Sequence, residues 1–413
     1  MGDLSTLILL LACAAFAQRP QTTDQQIAAL SKIAAAKPGS ARDETALAKA
    51  YIQKMRETVD FSYLDRASRI VDDLLARDAG NYPALRLRSE IGMERHEFKQ
   101  VEEYSQAMTD FFRDDPWNWG TLGDASMELG KYDQARKAYE RMAALRPDLS
   151  SYNRLSYYHF VTGDAEGAIS LMKAAVSGAA AAPENKAWCL ADLGKMYFKI
   201  GKLPEAAAAF HESLAVFPNY YPAYAGLGSI EGAENHTVEA IESYKRAQSS
   251  VPLPEYASAL EELYQRAGKP AESKQQQQLL EAIETMARSA NEKTNRNLAI
   301  IYADHDRNLD RALELAQNEI AVRPDVYTYD ALAWVLFKRK QYPAAADASA
   351  KALALKTPEP LFYFHAGMIA EALDRKAEAK KYLESAMALN PKFDIRQAEV
   401  ARAALERLSA AIN

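Results

Sequence analysis

The chain has 413 residues, 48% hydrophobic and 26% charged, an ordinary composition for a globular protein. Its formal net charge is −6. No Lys/Arg-dense face stands out, which argues against a nucleic-acid partner. Beyond the first residues no apolar run approaches membrane-spanning length, so no transmembrane helix is expected after the leader.

Residues 1–17 read as an export signal. Leu4 to Ala15 is apolar, and Ala15-Phe16-Ala17 before Gln18 has the small-x-small form of a cleavage site. Asp3 stands where a basic start is usual. The protein is therefore expected to be exported, periplasmic or secreted. A second reading takes Leu10-Leu11-Ala12-Cys13 as a lipoprotein box, with Cys13 as a lipid anchor to the membrane. Cleavage after Ala17 leaves Cys189 as the single thiol, so no internal disulfide is possible. Cys189 sits between Trp188 and Leu190 and reads as a packed, inert thiol.

Residues 18–393 read as copies of one helical hairpin. The first stretch, 43–115, is degenerate, with an insertion around Thr58 to Tyr63. From 116–149 the pattern is clear: Gly123, Ala135, Tyr139 and Pro147 are separated by 12, 4 and 8 residues. Leu155-Ser156, Ala168 and Met172 form a looser copy. The copies at 187–220 and 221–254 match residue for residue at an offset of 34: Leu193-Gly194, Ala206, Phe210 and Pro218 recur as Leu227-Gly228, Ala240, Tyr244 and Pro252. Residues 255–290 are degenerate, with Ser273 and Gln277 where alanine and an aromatic are expected. Ala299, Tyr302, Ala312 and Pro324 form the next copy, and Ala333, Leu336, Ala345 and Ser349 another. The copy at 360–393 repeats the spacing with Gly367, Ala379, Leu383 and Pro391. In 394–413, Asp394 can N-cap a closing helix whose apolar stripe is Ala401, Leu405, Leu408 and Ile412. Arg396, Glu399, Arg402 and Glu406 lie mostly away from that stripe.

The pattern has a packing logic. Two helices approach closely where a side chain is nearly absent, which sets Gly194 against Ala206 and Gly228 against Ala240. Phe210, Tyr244 and Leu383 then fill gaps between hairpins. The prolines at 218, 252 and 391 stop the second helix. Gly130-Lys131, Gly201-Lys202 and Gly268-Lys269 mark the turns inside hairpins, where glycine accepts a left-handed C-cap.

A fixed period of 34 with a small residue, an alanine, an aromatic and an exit proline resembles the tetratricopeptide repeat. The resemblance covers nearly all of the chain after the leader. It implies an all-α, right-handed superhelical solenoid of stacked antiparallel helix pairs with a C-terminal capping helix. It also implies a concave face, lined by the first helix of each pair, where a protein or peptide partner binds. The residues expected there are Trp117 and Met127; Tyr157 and Phe160; Trp188, Lys195 and Phe198; Tyr327, Asp330, Trp334 and Phe337; and Phe364, Met368 and Glu371. Family members that clamp a terminal carboxylate carry Lys and Asn on adjacent turns. Here those sites hold Gly120 and Asp124, Ala191 and Lys195, and Ala225 and Ser229, so that mode is not expected.

No catalytic, cofactor or metal site emerges. His96, His159, His211, His236, His305 and His365 form no i, i+4 pair. Asp304 to Asp310 has alternating acids, but Leu309 and Leu315 stand where a calcium loop needs glycine and glutamate. Those acids read as turn caps. The expected function is a non-catalytic protein-interaction scaffold; the alternatives are an envelope assembly factor tethered at Cys13 and, in another class, an enzyme.

Overall fold

The structure is a computed structural model that describes residues 22–58, 60–178, 183–289 and 293–412. The signal segment and Cys13 lie outside the described residues. Within them the chain is helical, with no strand. It divides into two compact units, one through Arg95 and one from His96 onward.

The first unit holds α1 (Thr23–Ala36), α2 (Ala41–Thr58), α3 (Phe61–Arg77) and α4 (Tyr82–Glu94). Its core is Ala48, Ile52 and Met55 of α2, Leu64, Ala67 and Val71 of α3, and Leu87 and Ile91 of α4. Of the residues that read as an insertion, the described ones end one helix and cap and open the next. Thr58 ends α2, Phe61 to Tyr63 open α3, and Asp60 caps α3 by accepting the Ser62 amide at 2.9 Å.

The second unit begins with α5 (Phe98–Phe111). Then come hairpins of α6 (Pro116–Glu128) with α7 (Tyr132–Leu145), α8 (Leu149–Val161) with α9 (Ala165–Gly178), and α10 (Pro183–Lys199) with α11 (Leu203–Val216). They continue as α12 (Tyr221–Ala233) with α13 (Thr237–Ser250), α14 (Pro254–Arg266) with α15 (Pro270–Ser289), and α16 (Arg296–Asp304) with α17 (Leu309–Val322). The last are α18 (Val326–Lys338) with α19 (Tyr342–Ala352) and α20 (Pro360–Ala372) with α21 (Lys376–Leu389), followed by α22 (Gln397–Ile412). Pro147, Pro218, Pro252, Pro324 and Pro391 each lie two residues past a second helix, where a missing N–H ends the ladder.

The turn inside each hairpin is a left-handed C-cap. Gly130, Gly201 and Gly268 have φ of 67, 74 and 68°. The next amide reaches back to form the six-residue closure, as in Lys131 to the Ser126 carbonyl at 2.8 Å and Lys202 to Tyr197 at 2.9 Å. The same conformation occurs without glycine at Asn235, Lys340 and Asp374. The geometry therefore belongs to the hairpin, and glycine only lowers a cost of roughly 1–2 kcal/mol.

A Cβ on Gly194 would lie 2.6 Å from the Phe210 ring, and one on Gly228 would lie 2.6 Å from Tyr244. Gly123 faces Tyr139 and Gly367 faces Leu383 in the same way. At each of these sites the glycine makes room for the large residue of the second helix, and at Gly367 the Ala379 carbonyl also lies 3.3 Å from the Cβ position. Phe210 is held on a further side as well, since a Cβ on Gly226 would lie 2.2 Å from its ring. Each ring is seated inside its own hairpin and, for Phe210, against the next one.

Helix α22 is preceded by Asp394, whose Oδ1 accepts the Arg396 and Gln397 amides at 2.8 and 2.7 Å. Ala401, Ala404 and Leu408 are buried. Arg396 turns inward, because its guanidinium donates to the Asp304 carbonyl at 2.7 Å.

Candidate functional site

Many of the side chains expected to line an inner face, and their neighbours, are paired with one another within the second unit. Lys199, at the end of α10, pairs with Glu359 just ahead of α20. Its ammonium lies 5.7 Å from the Phe160 ring centre on α8 and 5.2 Å from that of Tyr327 on α18. Arg296 lies 5.4 Å from the Tyr327 ring centre and holds Asp325 at 2.8 Å. Arg323 holds Glu128 at 2.9 Å. Arg154 holds Asp124 at 2.8 Å, and Asp124 also accepts the Tyr139 hydroxyl at 2.9 Å. These aromatic faces and carboxylates are paired within the chain.

The expected contact residues separate into three groups. Met127, Phe160, Trp334 and Phe364 are buried. Phe160 lies in the core shared by α8 to α12, and Trp334 and Phe364 lie in the core shared by α16 to α18 and α20 to α22. Trp334 stacks on Phe337 at 4.8 Å and on His365 at 4.2 Å, and its indole N–H donates to Asp304 at 2.8 Å. Asp330 is buried as well and binds His365 Nδ1 at 2.9 Å. Trp117, Phe198, Tyr327, Phe337, Met368 and Glu371 are half-buried. Phe198 packs against the core of α8 to α12, and Glu371 pairs with Arg407. Tyr157, Trp188 and Lys195 are exposed.

Trp188 is 41% exposed, although Ala187, Cys189, Leu190 and Ala191 around it are buried. Tyr157 is 36% exposed. Surrounding protein nevertheless pushes its hydroxyl well above the usual tyrosine range. Lys195 is paired with Asp192 at 2.9 Å. Burial pushes the Cys189 thiol up to about 12, so it carries little thiolate near neutrality.

A polar group near α22 was not visible in the sequence. Glu261 and Glu262 of α14 stand one period after Leu227 and Gly228. Glu261 is fully buried and accepts from Gln277 at 2.7 Å, Gln265 at 3.2 Å and Arg307. Asp304 accepts from Trp334 and from Gln397 at 2.6 Å, instead of capping a turn. Asp306 pairs with Lys338 and Asp310 with Arg339, again across to α18. Asn308 precedes α17 without a side-chain cap bond. Among the described residues no three His, Cys, Asp or Glu side chains gather as a metal-holding group. No helix there is long and apolar enough to cross a membrane.

Burial pushes the Glu262 carboxyl up to about 8, with Asp394 adding to the effect against Arg396. Asp304 is raised to about 6, first by burial. An acid raised on folding holds its proton longer in the folded state, so its contribution falls as pH rises from the unfolded to the folded value. His96 and His305 are lowered by burial and act in the opposite direction below their ordinary value of 6.5. Between pH 6.5 and 8, Glu262 therefore dominates among these four. Stability should fall across that window by about 2 kcal/mol. Glu262→Gln should flatten the slope in urea titrations at stepped pH; an unchanged slope refutes the assignment.

With this geometry in view, comparison with known families matches residues 121–186 and 191–257, and separately 361–393, to the tetratricopeptide repeat. Those three segments are tetratricopeptide repeats. They correspond to α6–α13 and α20–α21. Tetratricopeptide-repeat proteins typically mediate protein–protein contacts. No curated protein matches the chain. Among solved structures it is similar to PilW, described as a widely conserved type IV pilus biogenesis factor, at 16% identity over 48% of this chain and 91% of that one, with a TM-score of 0.42. It is similar to a tetratricopeptide repeat protein from Parabacteroides merdae at 21% identity over 63% and 98%, with a TM-score of 0.35. It is also similar to the Cut9–Hcn1 hetero-tetramer of APC/C at 14% identity over 94% and 93%, with a TM-score of 0.34.

Proposed function

We propose that this chain is a non-catalytic scaffold that captures a protein or peptide partner on the inner face of α8 and α10. Trp188 is its main anchor and Tyr157 the second. The observation that carries this reading is the exposure of Trp188 within an otherwise buried helical stretch. An indole left in water at such a position has apolar area to bury on binding, and tryptophan is over-represented among residues that dominate interfaces. Lys195 beside it supplies a polar rim. The leader reading adds that the scaffold works outside the cytoplasm, beginning near Gln18. The tethered alternative begins at a lipidated Cys13. The mass of the native protein distinguishes them.

Trp188→Ala should weaken capture of a cross-linked, purified partner by more than about tenfold, as expected for an aromatic anchor. Its melting temperature should stay nearly constant, because little packing is lost. Phe198→Ala serves as the contrast: it removes core contact and should lower the melting temperature as well. Undiminished capture by Trp188→Ala, or a large loss of its thermal stability, would sink the site.

A further inference from the structure

Open solenoids contact only their neighbouring repeats, so their hairpins unfold piecemeal. The second unit departs from this. The Val326 amide donates to the Tyr132 hydroxyl at 3.1 Å across 194 residues. The Thr357 hydroxyl donates to the Val161 carbonyl at 2.6 Å across 196 residues. Asn390 Nδ2 donates to the Phe198 carbonyl at 2.7 Å across 192 residues. In each case the end of one first helix, or the start of the second helix of its hairpin, meets the start of the sixth hairpin or helix along, or the linker that leads into it. The series continues as Lys392 with Glu234 at 3.2 Å and Arg266 with the Ile395 carbonyl.

Three turn glycines serve the same seam. A Cβ on Gly130 would lie 2.8 Å from the Pro324 carbonyl oxygen, one on Gly163 would lie 3.0 Å from that of Leu355, and one on Gly201 would lie 2.7 Å from that of Leu389. Gly268, with the same left-handed backbone, meets nothing. An apolar strip runs beneath: Met127 and Val161 share a core with Val326, Ala352 and Phe362. Paired charges close it from the inner side, Arg323 with Glu128 and Lys199 with Glu359.

We propose that this seam joins the hairpins from His96 onward into one cooperative unit, which opens along its whole length or not at all. A contact between hairpins six apart links the stability of every hairpin in between. Loss at one rung then removes support from the others. The inner face around Phe160 and Tyr327 stays covered until the entire seam opens.

The test is hydrogen exchange read by mass spectrometry on the full chain, comparing Gly201→Ala with Gly268→Ala. Both substitutions place alanine at a φ near 70° in equivalent turns, so local strain is matched. Only the first drives a methyl into the seam. Gly201→Ala should accelerate exchange at its own rung, and also around residues 129–132 with 323–326 and 161–164 with 355–359, by about tenfold or more. Gly268→Ala should leave those distant rungs unchanged. Should Gly201→Ala fail to fold, Asn390→Ala, which deletes one seam bond without backbone strain, should show the same spread at smaller size. Acceleration confined to 199–202 and 389–392, or an equal spread from Gly268→Ala, overturns the proposal.

Discussion

Phe210→Ala should lower the unfolding free energy by about 3–5 kcal/mol, the range for deleting a buried aromatic whose surroundings cannot collapse. Phe210 is 1% exposed, and its ring fills the space that Gly194 and Gly226 leave on two first helices. The stronger statement concerns the coupling. Gly226→Ala in the native background pushes a methyl into the ring, at a cost of roughly 1–3 kcal/mol for overpacking. In the Phe210→Ala background that methyl enters vacated space. Alanine's higher helix propensity, worth up to about 1 kcal/mol, then prevails. The sign of the Gly226 substitution should therefore reverse between the two backgrounds. Urea unfolding of the four variants measures this, and additive costs would mean that glycine and ring are not one packing unit.

Arg307→Ala should cost about 3 kcal/mol, at the lower end for breaking a buried ion pair because Arg307 keeps some contact with water. The loss leaves Glu261 fully buried without its guanidinium partner, facing the amides of Gln277 and Gln265 and, at 4.0 Å, His305 Nδ1. Replacing the pair together is a different experiment. Glu261→Leu restores the residue that Leu193 and Leu227 place at this repeat position, and Arg307→Met supplies an apolar cover. The double variant should match the native protein or exceed it. A double variant as unstable as Arg307→Ala would show that Glu261 contributes more than the charge it holds.

Sequence reasoning reached the hairpins because their determinants are local. Pro218 and Pro252 stop a helix wherever they stand, and Gly201 favours a left-handed turn whatever surrounds it. Spacing of 12, 4 and 8 places Gly194, Ala206, Phe210 and Pro218 within one pair of helices, so a single repeat contains its own instructions. The seating of the ring against glycine was not legible within that frame. Gly194 and Ala206 share the conserved spacing, but spacing does not say which large side chain enters the gap.

The inner face was less legible for the same physical reason. Helical periodicity says which way Trp334, Phe364 and Phe160 point from their own helices. It does not say what arrives opposite them. Lys199 reaches Phe160 and Tyr327 together because α10 and α18 meet across the seam. Nothing near Lys199 in the chain distinguishes it from Lys195, which stays exposed.

By itself, then, the sequence determined the helical hairpin, its period, its stops and its turns, since each depends on residues within about forty positions. Tertiary structure decided how tightly the stack coils, and that depends on small angles summed over six hairpins. From that coiling follows the seam of Tyr132, Thr357 and Asn390. No single repeat encodes such a sum, so contacts 192 to 196 residues apart could only be seen once the chain was folded.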